Sequence, residues 1–166
     1  MHAVYRNRIA YVSDKPGYVH KYNLSGTRLG AIELPDFDAE GLAITPNGDF
    51  LFVSAGSTIK KVDLADDTVS EFCNLGGSSL FRDMEIDGNG HLYVADRGTN
   101  KLHIFDYASE VNANVPTSVD FNFCEGVGWN PVENLVYVAG NDKQWGVFYP
   151  DGTVHTPLTT ASTANG

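Results

Sequence analysis

Positive charge is scarce in this chain. Eleven Lys and Arg stand against 21 Asp and Glu in 166 residues, a formal net charge of −10. Nucleic acid and anionic membrane surfaces both require a basic footprint, so neither is expected as a partner. Long apolar runs are missing as well. No stretch approaches the roughly 20 residues that a membrane-spanning helix needs. Residues 1–15 (MHAVYRNRIAYVSDK) hold no extended apolar segment and no small-residue cleavage site, so no signal peptide is read there. That absence leaves the compartment open, with extracellular, periplasmic and virion-surface locations all compatible. Cysteine occurs twice, at Cys73 and Cys124, in no zinc or C-x-x-C spacing. The ordinary reading is two small, semi-buried residues. The five histidines (His2, His20, His91, His103, His155) form no HxH or HExxH pair, and none recurs at a repeat position. They are poor candidates for metal ligands or general bases. No G-x-S-x-G elbow is written either, since Gly76-Gly77-Ser78-Ser79-Leu80 lacks the pattern.

What is present is a phrase that returns four times. Tyr11-Val12-Ser13-Asp14, Phe52-Val53-Ser54-Ala55, Tyr93-Val94-Ala95-Asp96 and Tyr137-Val138-Ala139-Gly140 are spaced by 41, 41 and 44 residues. A period of about 40–50 residues marks a radial or stacked repeat. Each period resolves into four short strands rich in β-branched and aromatic residues, separated by Gly, Asn, Asp and Pro clusters. In the second unit these are Glu40–Thr45, Phe50–Ala55, Thr58–Leu64 and Thr68–Cys73. The third reads Asp83–Asp87, His91–Ala95 and Lys101–Tyr107, with a weakly written fourth strand within Val115–Phe121 because Pro116 interrupts it. The fourth reads Glu125–Asn130, Asn134–Ala139, Gln144–Tyr149 and Thr153–Leu158. The prediction is all-β: a β-propeller of four-stranded antiparallel blades, in one domain over residues 1–166, with repeats at about 1–37, 38–80, 81–122 and 123–160.

The first unit reads as incomplete. Arg8–Ser13, Tyr18–Leu24 and Thr27–Leu34 match the second to fourth strands, and Val19–Thr27 aligns without a gap to Trp145–Thr153. Its innermost strand is expected to be missing, and the polar tail Thr159–Gly166 is a poor substitute. Blades bury their faces against neighbours, so an unclosed stack exposes apolar sheet at both ends. Apolar area is worth roughly 25 cal/mol per Å², so bare faces are costly. A cramped four-bladed ring, a ring completed by further copies, and a longer propeller are all open; completion by copies or further blades is preferred.

Val12–Thr45 (VSDKPGYVHKYNLSGTRLGAIELPDFDAEGLAIT) resembles the SdiA-regulated propeller family, related to phytase-like esterase and NHL propellers. The shared features are Asp14-Lys15-Pro16, Asn23-Leu24-Ser25-Gly26, the fourth strand ending at Leu34, and the acidic loop Pro35–Ala39 before Glu40-Gly41-Leu42-Ala43. Ile86–Asp96 is similar to NHL and to senescence-marker (gluconolactonase) propellers. Glu125–Pro131 is similar to the opening of a blade in the latter. The resemblance implies six blades in most relatives and says little of function, because propellers host hydrolases, lyases and binding modules alike.

Aligned first strands put Glu40, Arg82 and Glu125 at equivalent positions. In propellers this position opens the inner strand at the mouth of the channel. The gluconolactonase resemblance implies a divalent cation there, held by oxygen ligands from separate blades. Glu40 and Glu125 suit that role, and Asp83 joins them only if its strand shifts. Arg82 does not, since a guanidinium offers a cation no lone pair. The ordinary alternative is that the two glutamates bond strand-start donors or pair with Arg82. A third is a channel that binds a small polar ligand, with Arg82 anchoring an anionic group. Asp87-Gly88-Asn89-Gly90 lacks the downstream Glu of a calcium loop and reads as a plain turn. Asp14, Asp96 and Asp142 follow second strands and are expected to make surface or blade-to-blade hydrogen bonds.

The reading from sequence is a non-catalytic binding, scaffold or surface-structural propeller module with no catalytic residue assigned. Its working surfaces are the mouth at Glu40, Arg82 and Glu125 and the unpaired blade edges. Its partners are copies of itself, further blades, a protein or a small polar ligand. One alternative is a lactonase- or phosphoesterase-like hydrolase using Ca2+ on Glu40, Glu125 and Asp83. The other is a structural component of a virion or cell-surface assembly.

Overall fold

The computed structural model describes residues 2–35, 37–109, 116–121, 124–140 and 144–160. Among the described residues, sixteen strands form four antiparallel sheets, each taken up in chain order from one edge to the other. Blade 1 holds β1 (Ala3–Arg6), β2 (Ile9–Asp14), β3 (Tyr18–Asn23) and β4 (Arg28–Glu33). Blade 2 holds β5 (Leu42–Ile44), β6 (Phe50–Ala55), β7 (Thr58–Asp63) and β8 (Thr68–Asn74). Blade 3 holds β9 (Phe81–Ile86), β10 (His91–Asp96), β11 (Lys101–Asp106) and β12 (Thr117–Asp120). Blade 4 holds β13 (Cys124–Asn130), β14 (Leu135–Gly140), β15 (Gln144–Phe148) and β16 (Val154–Thr160). This is a β-propeller arrangement of four blades.

The start of the chain departs from the expectation. Blade 1 has its inner strand, in the four residues Ala3–Arg6, paired as Arg6↔Ile9 through Ala3↔Val12. The connection is a two-residue hairpin at Asn7-Arg8, with both φ positive (51° and 66°). Such turns match strand twist; Asn tolerates the left-handed region, and Arg8 stands where Gly is usual. A strand this short, closed by Asn-Arg, offers little pattern in the sequence.

The strand period of two sends alternate residues to opposite faces, and the blades exploit this uniformly. The Tyr/Phe of the recurring phrase faces the following blade, and the Val faces the preceding one. Three cores result. Tyr11, Val19 and Ile32 of blade 1 meet Leu42, Leu51, Val53 and Val62 of blade 2. Phe52, Ile59 and Cys73 meet Met84, Leu92, Val94 and Phe105. Tyr93, Leu102 and Phe121 meet Cys124, Val136, Val138 and Phe148. Among the described residues no fourth core joins blade 4 back to blade 1. The two cysteines lie in different cores as free thiols, and burial pushes each up to about 12.

Exposure at equivalent positions shows the consequence. Tyr11, Phe52 and Tyr93 are 6%, 0% and 0% exposed, whereas Tyr137 is 40% exposed. On the third strand, Val19, Ile59 and Leu102 are fully buried and Trp145 is 41% exposed. On the other end face, Tyr5, Tyr18 and Leu29 of blade 1 are also exposed.

Candidate functional site

The inner strands begin at one mouth of the propeller, where the positions equivalent to Glu40 gather. Two of the three sit on β-bulges. In blade 3, Ala95 pairs with Asp83 and Asp96 with Phe81, leaving Arg82 as the extra residue. In blade 4, Ala139 pairs with Gly126 and Gly140 with Cys124, leaving Glu125 as the extra residue. Bulges re-aim a side chain away from the sheet face, and here they free these two residues from the interblade cores.

The mouth is a set of ion pairs between blades. Glu40 accepts hydrogen bonds from Lys15 Nζ at 2.8 Å and from Arg82 at 2.7 Å, so blades 1, 2 and 3 meet on one carboxylate. Burial pushes the Glu40 carboxyl up, but these two cationic donors outweigh it and hold it below the usual range. Ser13 Oγ donates to the Glu40 carbonyl at 2.9 Å, and Glu40 N–H donates to the Ser54 carbonyl at 2.8 Å. Glu125 lies 3.0 Å from Arg97 Nε. Asp83 faces Val127 N–H at 3.1 Å and His2 Nδ1 at 3.3 Å.

At this mouth Glu40 faces Lys15 and Arg82, Glu125 faces Arg97, and Asp83 faces the Val127 N–H and the His2 ring. Among the described residues, no group of three or more His, Cys, Asp or Glu side chains converges as metal ligands. The arrangement can clamp blades together and hold the inner strands at fixed spacing. Replacing Glu40 by Gln removes the charge that faces Lys15 and Arg82. We expect a loss of about 1.5–3 kcal/mol in urea unfolding, the range for hydrogen bonds to charged groups. A change near zero would mean that the pair does not couple the blades.

Hydrogen bonding at Asp14 and Asp96 and a turn at residues 87–90 were expected; the histidine partners were not. Asp96, fully buried, accepts N–H bonds from Leu80 (2.8 Å), Gly98 (2.9 Å) and Thr99 (3.2 Å), the Thr99 hydroxyl at 2.6 Å, and faces His103 Nε2 at 3.0 Å. The other ring nitrogen of His103 lies 2.7 Å from Ser118 Oγ. This Ser–His–Asp chain has the order of a nucleophilic relay, but the His103 ring is buried, one Asp96 oxygen is taken by the N–H groups of Leu80, Gly98 and Thr99, and the other by the Thr99 hydroxyl beside His103. It positions strands. In blade 1, Asp14 and His20 occupy the same repeat positions, 3.4 Å apart. Histidine therefore does recur, contrary to the expectation. The spacing is six residues in blade 1 and seven in blade 3, and the extra residue in the intervening turn hides the match. At the opposite mouth, Asp87 accepts N–H from Asn89 (2.8 Å) and His91 (2.9 Å) and the Tyr93 hydroxyl (2.9 Å), which makes residues 87–90 a stitched turn. Asp142 lies outside the described residues. Beside that turn, an open depression of about 870 Å³ between blades 2 and 3 is lined by Phe50, Lys61, Phe72 and Tyr107.

No family model matches the sequence, and no curated protein matches it. Solved structures do: 1199 chains match, so the fold is shared too widely to single out a function. One is dihydro-heme d1 dehydrogenase NirN in complex with DHE, with TM-score 0.74 and 15% identity over 98% of this chain. The likeness is one of fold. The chain spans 37% of the length of that protein. Among the described residues, no helix is long and apolar enough to cross a membrane.

Proposed function

We propose that this chain is a non-catalytic β-propeller module, of binding or scaffold type, whose end faces are completed by another propeller surface. The observation that carries the reading is the contrast between Tyr93, fully buried, and Tyr137, 40% exposed at the same repeat position. A side chain that three interblade cores use as an anchor stands bare only where the next blade is missing, and large exposed apolar patches mark interaction sites. The completing surface comes from a further copy or from further blades. The finer affinity, to the SdiA-regulated, NHL and gluconolactonase-like propellers, rests on the motifs quoted above.

A metal-assisted hydrolase needs Glu40 and Glu125 free to ligate. Each faces a guanidinium, at 2.7 and 3.0 Å, which competes directly with a cation. The test is thermal unfolding with Ca2+ and with a chelator, alongside assays on a lactone and a phosphate ester. We expect the same melting temperature in both and no turnover. Calcium-dependent stabilisation together with turnover would replace this reading with the hydrolase.

A further inference from the structure

We propose that the exposed face of blade 4 docks onto the exposed face of blade 1 of a second copy, head to tail, so that two chains close one ring. This rests on the module reading and names its partner. The internal interfaces supply the template. At each one, a Tyr or Phe on the second strand and an aliphatic residue on the third insert against the Val and third-strand residues of the next blade. Blade 4 offers Tyr137 and Trp145 at those positions, and blade 1 offers Val12, Ala10 and Tyr22 at the receiving ones, as the strand registers show.

Two further details fit a blade-on-blade contact. Gly41 of blade 2 lies so close to β9 that a β-carbon there would sit 2.9 Å from the Arg82 carbonyl oxygen. Its counterpart Gly126 meets no backbone of a following inner strand. Together with Gly128 it floors an open depression of about 510 Å³ beside Tyr137 and Trp145. On blade 1, His20 occupies the position of His103, which lies on the covered face of blade 3. Its Nδ1 is buried without a partner, and its ring stacks on Tyr18 at 5.9 Å.

Charge and area allow the union. The strand positions of the blade 4 face (Gly126, Gly128, Tyr137, Ala139, Trp145, Val147) are uncharged; the nearest carboxylates are Asp83, which lines the depression and accepts from Val127 N–H, and Glu133, which accepts from the Tyr137 hydroxyl. Four strands of six residues present a face of about 20 by 19 Å, roughly 380 Å². One junction removes two faces, about 760 Å², below the usual size of a stable interface. Closing both ends of two copies removes about 1,500 Å², within the standard range. A head-to-tail contact that closes is self-limiting.

The experiment is light scattering on the wild-type chain and on Tyr137→Arg, Val12→Arg and Tyr5→Arg, with circular dichroism to check that each variant is folded. We expect a single species of twice the 18.0 kDa chain mass for the wild type. Each variant should run as one chain, and an equimolar mixture of Tyr137→Arg with Val12→Arg should recover weaker, concentration-dependent association, because that pair retains one intact junction of sub-standard area. A wild-type monomer overturns the inference. So does a dimer that only Tyr137→Arg dissociates and that mixing does not restore, the signature of two blade 4 faces meeting. A monomer without turnover leaves the module reading in place. Turnover with Ca2+ would remove that reading whatever the mass.

Discussion

Tyr93→Ala is expected to destabilise the chain by about 3–5 kcal/mol in urea unfolding, and Tyr137→Ala by about 1 kcal/mol or less when the chain is held as a monomer. The residues occupy one repeat position and carry the same side chain. Tyr93 fills the core between blades 3 and 4, and its hydroxyl donates to the buried Asp87 at 2.9 Å. Truncation leaves a cavity the size of a ring and removes one donor from a buried carboxylate, the two sources of large core penalties. Tyr137 leans on solvent, and its hydroxyl donates to Glu133 at 2.6 Å at the surface. Equal penalties would mean that both positions are covered alike, and the account of open end faces would fall with them.

Asp96→Ala is expected to cost at least about 3 kcal/mol, whereas Asp14→Ala at the equivalent position should cost about 1 kcal/mol or less. Removing the Asp96 carboxylate strands three backbone N–H donors and the His103 ring in the interior, and each unpaired buried group carries its own desolvation cost. Burial pushes the Asp96 carboxyl up, but the bonds from His103, Leu80 and Thr99 outweigh it and hold it far below the usual range. Asp87 is displaced the same way by His91, Asn89 and Tyr93. A carboxyl depressed in the folded state stabilises it fully above the unfolded value, near pH 4, and that contribution drains away as the pH falls further. The melting temperature should therefore hold on the neutral side and fall below about pH 4. The Asp96 variant should show a shallower acid limb; an unchanged limb would place the acid sensitivity elsewhere.

The two predictions separate what a repeat conveys from what it conceals. Tyr11, Phe52, Tyr93 and Tyr137 read as equivalent strand positions, and they are. Their burial differs only because three of them have a following blade, a fact of assembly that no local pattern carries. The Asp14–His20 and Asp96–His103 pairs escaped notice because one added turn residue breaks the arithmetic spacing while the sheet register keeps the residues opposed. Alignment put Arg82 and Glu125 at equivalent first-strand positions. That they bulge from their strands, and that Arg82 answers Glu40, depends on the angle at which blades meet. The short inner strand Ala3–Arg6 was invisible because its turn, Asn7-Arg8, carries neither Gly nor Pro.

The amino-acid sequence by itself determined the architecture: alternation of apolar and polar residues at period two, turn residues at fixed intervals and a recurring aromatic-Val phrase admit only stacked four-stranded sheets. Only the tertiary structure decided which faces are covered and which carboxylates are paired. Strand pattern is set by neighbours along the chain, whereas burial and charge pairing arise between residues tens of positions apart, brought together by how one blade leans on the next.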